Sequence, residues 1–183
     1  MTRPPRALLT AIQAIDGIST WCGKAVAWAI VPLVVGLTYE VIARYGFNAP
    51  TEWAFDVTYM LYGSHFMLGA AYTLLRGGHI RTDMFYEKYS PRTKGLVDAI
   101  GYLVFFFPAV VFLLVAGGDA ALVSWRMLEK SEISPWRPPI YPFKAVVPAA
   151  AILLLVQGVS EFLKSTYAVM TDELYGEREE ILV

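Results

Sequence analysis

Long apolar runs separated by short polar segments occupy the chain from Trp21 onward. A helix rising about 1.5 Å per residue needs roughly 20 apolar residues to cross a hydrocarbon core of about 30 Å. Four blocks meet that length, at residues 21–43, 53–75, 95–123 and 143–163. They predict an all-α integral membrane protein with four transmembrane helices, forming a single domain over 1–183. The second block is the least apolar, because it carries Asp56, Ser64 and His65, and it reads as packed against protein rather than facing lipid all round. Before the first block, Leu8, Leu9, Ile12, Ile15 and Ile18 recur at helical spacing beside Arg3, Arg6 and Asp16. That pattern predicts an N-terminal helix lying in the membrane interface, where a plain anchoring role accounts for it. Between the second and third blocks, Ile80, Met84 and Phe85 alternate with Arg81, Asp83, Glu87 and Lys88. A second short interfacial helix is expected there, before Ser90-Pro91 opens the next one. The acidic tail over 172–183 is expected to be poorly ordered. The first block runs into Thr38-Tyr39-Glu40-Val41 without a small-residue cleavage pattern, so it is expected to stay in the mature protein.

Composition supports lipid as the solvent: 56% of residues are hydrophobic and only 17% are charged. The net charge of -1 conceals an asymmetry along the chain. Arg3, Arg6, Arg76, Arg81, Lys88, Arg92, Lys94, Lys164 and Arg178 fall on one side of the four spans, and Arg44, Arg126, Lys130, Arg137 and Lys144 on the other. The positive-inside rule then places both termini and the 76–94 loop in the cytoplasm, and the loops around Asn48 and Ser134 outside. With no basic patch on a soluble face, nucleic acid is not an expected partner. Cys22 is the single cysteine and there are two histidines, which excludes an intrachain disulfide and argues against a zinc site.

Ionisable groups within spans are costly, so each polar residue there is a candidate for function or for structural pairing. Glu40 and Arg44 stand one turn apart in the order that favours an ion pair. Asp56 falls in the first turn of the second span, where the helix dipole stabilises its charge. His65 lies near mid-membrane; it could ligate haem or shuttle protons, but no second histidine lies in another span, and a hydrogen bond to a neighbouring helix explains it better. Asp119 sits late in the third span, close to an interface. Gln157 and Glu161 share a face of the fourth span with Lys164 in reach, suiting interhelical hydrogen bonding or a snorkelling ion pair. Pro32 and Pro108 remove helix bonds to the carbonyls of Trp28 and Val104 and predict kinks. No catalytic constellation and no phosphate-binding glycine loop is present in the sequence, so an enzyme is not expected.

The segment from Trp125 to Lys144 is rich in proline, aromatic and charged residues, and should form a stiff outer loop with Glu132, Trp136 and Arg137 available to a partner. Three stretches together carry a family resemblance: Arg44-Tyr45-x-Phe47-Asn48-x-Pro50-x-x-Trp53-x-x-Asp56; Gly69-Ala70-Ala71-Tyr72 through Gly78-His79-Ile80-Arg81-x-Asp83; and Ser131-Glu132-x-Ser134 with Pro138-Pro139, Lys144, Pro148 and Gln157. In these the chain resembles the small, four-span (DctQ-like) membrane subunit of tripartite ATP-independent periplasmic (TRAP) transporters. The resemblance implies a bacterial inner-membrane scaffold subunit. Its partners would be a large DctM-like membrane subunit, which carries the substrate and sodium sites, and a periplasmic binding protein that delivers organic acids. It implies no cofactor on this chain and no catalytic, substrate or metal site. Small residues such as Gly63 and Ala70 at heptad spacing suit close packing against a partner helix. Two rival readings are a membrane anchor of a redox enzyme with His65 as an axial ligand, and a small stand-alone carrier.

Overall fold

In the computed structural model, residues 6–77, 86 and 89–175 are described. They form helix α1 (Arg6–Ala27), α2 (Ile30–Val41), α3 (Ala54–Leu75), α4 (Pro91–Gly101), α5 (Phe107–Met127), the short α6 (Tyr141–Lys144) and α7 (Val146–Thr171). Wide π turns extend α2 over Ile42–Gly46 and join α4 to α5 over Tyr102–Phe106. Among the described residues the only β pairing is an isolated bridge between Lys130 and Pro139.

Helix α7 is the centre of the bundle, packing on α1, α3, α4 and α5. Its buried face is made of small and polar residues: Ala150, Ala151, Gln157, Gly158, Ser160, Glu161, Ser165 and Ala168. Such a surface lets backbones approach closely, the usual means of helix association where lipid removes the hydrophobic drive. Gly95 of α4 shows how closely: a Cβ there would stand 2.5 Å from the Ser165 carbonyl oxygen. Large apolar side chains lie mostly on the outside, among them Val35, Phe105, Phe112 and Val115. The apolar surface is thus turned outward, as a bilayer requires.

Three helical stretches are long and apolar enough to cross a membrane: Arg6–Gly46, Pro91–Met127 and Tyr141–Thr171. They contain three of the four blocks read from the sequence. The remaining block forms α3, whose 22 residues give ample length. Asp56, Ser64 and His65 hold its mean hydropathy below that of the other three.

The N-terminal region differs from expectation. The amphipathic stretch around Leu8–Ile18 is not a separate surface helix but the first half of α1, continuous with Trp21. No helix breaker lies between them; the discontinuity falls later, at Trp28–Ala29, where Pro32 has no amide hydrogen to give the Trp28 carbonyl. Val31 N–H takes that carbonyl instead at 3.1 Å. Nor is the stretch merely an anchor, since Ile12 is fully buried against the bundle. At Pro108 the helix accommodates the missing donor through the π turn just before it, rather than by ending. The second interfacial helix expected around Ile80–Lys88, the turn at His79 and the tail beyond Tyr175 lie outside the described residues, apart from Tyr86.

Glycine and αL residues close three helices: Gly77, at φ 70°, follows α3, Leu128, at φ 49°, follows α5, and Asp172, at φ 58°, follows α7. Asp172 also joins two elements distant in sequence, because its Oδ1 accepts the Arg92 N–H of α4 at 2.9 Å. A carboxylate at that position meets both an unpaired amide and the positive end of the helix.

Candidate functional site

Three polar assemblies hold the helices and loops together. The first joins α1 to α7. Asp16 Oδ1 accepts from Ser160 Oγ at 2.7 Å and from Gln157 Nε2 at 3.1 Å, while its Oδ2 pairs with Lys164 Nζ at 2.8 Å. Lys164 also pairs with Glu161 Oε1 at 2.8 Å, and Gln157 Nε2 donates to that same oxygen at 3.1 Å. Gln157 and Ser160 are fully buried and Glu161 is nearly so. The 157, 160, 161 and 164 spacing puts all four side chains on one face of α7. Gln157, Glu161 and Lys164 stand out in the sequence; Asp16, the group that carries the network across to another helix, shows there only as part of an amphipathic pattern. A lone acid on the buried side of an amphipathic helix was the signal available.

The second assembly fixes the loop between α5 and α6. Asp56 is 1% exposed and accepts hydrogen bonds from Ser131 Oγ, at 2.6 Å, and from Ser134 Oγ. Its expected role as a charge at a helix start is therefore incomplete: the carboxylate is a receptor for the loop 75 residues away. Ser131 Oγ in turn accepts the Ile133 N–H, Ser131 N–H bonds the Pro138 carbonyl at 2.8 Å, and Ile140 N–H bonds the Glu129 carbonyl at 3.0 Å. Lys144 Nζ closes the base of the loop on both oxygens of Glu129, at 2.6 and 2.7 Å. That ammonium holds the Glu129 carboxyl below its ordinary value. Glu132 and Arg137 are exposed and Trp136 is half-exposed at the tip of this clamped loop.

The third assembly lies at the end of α2. Glu40 takes Arg44 Nε at 2.7 Å and, eleven residues on, the backbone and hydroxyl of Thr51, so the ion pair also anchors the turn into α3. Close by, Tyr39, Ile42, Ala43, Phe47 and Ala49 line a shallow apolar notch of about 300 Å³ at the π turn.

The remaining sequence candidates lie apart from these. His65 of α3 bonds the Val26 carbonyl through Nδ1 at 3.1 Å, which fixes Nδ1 as the protonated nitrogen. It meets α1 beside the Pro32 break. Gly63 faces inward, where a Cβ would stand 2.8 Å from the Phe143 ring. Its small size thus serves packing within this chain. Ala70 is half-buried. The outward face of α3 is instead a stripe of Phe55, Tyr59, Tyr62 and Phe66, each at least half exposed. Asp119 is exposed on α5. Among the described residues no group of three His, Cys, Asp or Glu is placed to hold a metal ion.

Comparison with known proteins supplies one match and one blank. The model of the family described as "Tripartite ATP-independent periplasmic transporters, DctQ component" matches residues 33–166, from α2 to the polar face of α7. No curated protein matches the chain.

Proposed function

Because the chain belongs to the DctQ family, the small permease component of tripartite ATP-independent periplasmic transporters, which works with a DctM subunit and a substrate-binding protein, we propose that it is the static scaffold of such a transporter. In this reading the large subunit binds substrate and the coupling ion, sodium, and moves during uptake of an organic acid delivered by the periplasmic binding protein. This chain enlarges the fixed frame against which that motion occurs. It carries out no chemistry.

The observation that carries the reading is the use made of polar groups in the helices. Asp16 and Glu161 both engage Lys164, Glu40 engages Arg44 and Thr51, and His65 engages a backbone carbonyl. These contacts brace helices; they do not converge on a cargo. Helix α3 is taken as the fourth span. Its weak hydropathy is tolerable if its Phe55–Phe66 stripe, with the hydroxyls of Tyr59 and Tyr62, rests on the large subunit rather than on lipid. The lysine and arginine distribution supports a cytoplasmic side for both termini, and the family supports a bacterial inner membrane. The clamped outer loop would then present Glu132, Trp136 and Arg137 to the binding protein.

Purification from native membrane should bring down a large polytopic subunit, and liposomes holding this chain alone should accumulate no organic acid under a sodium gradient. Uptake by the isolated chain would overturn the scaffold reading in favour of a small carrier. In the complete system, Arg137→Glu or Glu132→Lys should impair uptake while membrane insertion stays at wild-type level; unchanged uptake removes the loop from binding-protein contact.

A further inference from the structure

The outward face of the first helix changes character along its length. Arg6, Thr10, Gln13, Gly17, Trp21, Lys24 and Trp28 follow one another at helical spacing, and all are exposed. Beyond the break the same face continues as Val31 and Val35. Polar side chains thus give way to two indoles flanking an ammonium, and then to purely aliphatic residues. Trp21 and Trp28 are 73% and 74% exposed. Lys24 makes no ion pair or hydrogen bond with any described residue, and the nearest acid in sequence, Asp16, is turned toward α7.

Depth follows from helix geometry. At about 1.5 Å per residue, the stretch from Lys24 to Arg44 spans about 30 Å, the thickness of a hydrocarbon core. Lys24 therefore lies at the boundary of that core, and the face below it in water. A cation there meets phosphate oxygens, and indole rings about one turn to either side of it bracket the boundary between headgroups and first methylenes.

We propose that Trp21, Lys24 and Trp28 form a binding site for an anionic phospholipid in the leaflet on the N-terminal side, with Lys24 Nζ on the phosphate and the two indoles on either side of it. A protein partner at this place would have to bring its own carboxylate to the membrane boundary; the lipid carries the required charge at the required depth. The site is separate from the polar assemblies that join the helices, and it does not depend on the scaffold reading.

Native mass spectrometry of the full chain, purified with whatever subunits accompany it into nanodiscs of mixed phosphatidylglycerol and phosphatidylcholine, tests this. The wild type should retain phosphatidylglycerol in preference to phosphatidylcholine, and the preference should weaken as salt is raised. Lys24→Gln should reduce retained phosphatidylglycerol about fivefold. Lys24→Arg should keep it, as should Lys130→Gln at the opposite end. Equal retention of the two lipids by the wild type, or full retention of phosphatidylglycerol by a folded Lys24→Gln chain, would overturn the proposal. Displacement by millimolar inorganic phosphate would do the same, since it would assign the site to the free anion.

Discussion

The Asp16 network and the Asp56 clamp both use a carboxylate that accepts two serine or amide donors, yet they do different work. Asp16 ties one helix to another through groups that are themselves helical, with a lysine to balance charge. Asp56 ties a helix to a loop through two hydroxyls, and an ion pair, Glu129 with Lys144, stands at the base of that loop. The first contact sets how the bundle is assembled. The second sets the shape of a surface after the bundle exists. Removing an acceptor should therefore be felt by the whole molecule in one case and by a local segment in the other.

The largest effect is expected at the helix contact. Asp16→Ala leaves Ser160 without its acceptor and Lys164 with Glu161 alone in a sheltered site, a loss on the order of 3 kcal/mol. The thermal midpoint of the chain in detergent should fall clearly; a midpoint within error of wild type would place α1 outside the cooperative unit. Next, Asp56→Ala should cost about 2 kcal/mol, because the buried Ser131 and half-buried Ser134 hydroxyls lose their partner. Hydrogen exchange should accelerate at the Ser131 and Ile133 amides while α7 keeps its protection. Uniform acceleration across the chain would erase the distinction between the two carboxylates. His65→Phe, which removes one bond to the Val26 carbonyl, should lower stability by about 1 kcal/mol, and His65→Asn should recover part of it.

The smallest effect concerns pH. Glu129 titrates below its ordinary value of 4.5 because the Lys144 ammonium favours its charged form. A depressed folded-state value means that the contribution of the pair is fully present above 4.5 and is lost as pH falls through the lowered value. A spin label at Ile133, on an exposed part of the loop, should become more mobile only in that acid range, and Glu129→Gln should remove the pH dependence. Mobility that rises instead above neutral pH would contradict the assignment.

Much of the architecture was legible because lipid imposes a length on apolar runs: three of the expected spans fall inside helices that meet that requirement. Pro32 was legible too, since a missing amide hydrogen has a local and directional consequence. The course of α1 was not. Amphipathic periodicity from Leu8 to Ile18 says that one face is apolar, but whether that face meets lipid or another helix depends on α7, more than a hundred residues away. Asp56 failed for the same reason. Its position near a helix start offered a complete local explanation, and only the three-dimensional approach of Ser131 and Ser134 supplies the stronger one. Glu40 was half legible: the Arg44 partner follows from spacing, the Thr51 partner from a turn whose geometry, with Asn48 at φ 51°, is not periodic.

The break at Trp28–Ala29 has a consequence for life in membranes of unequal thickness. The segment before it is fastened to α7 through Asp16, and the segment after it packs on α3. A bilayer too thin for the apolar stretch can be met by inclining the segment after the joint, while the segment before it keeps its seat. A straight rod of the same length would have to lean as a whole, dragging Asp16 away from Lys164.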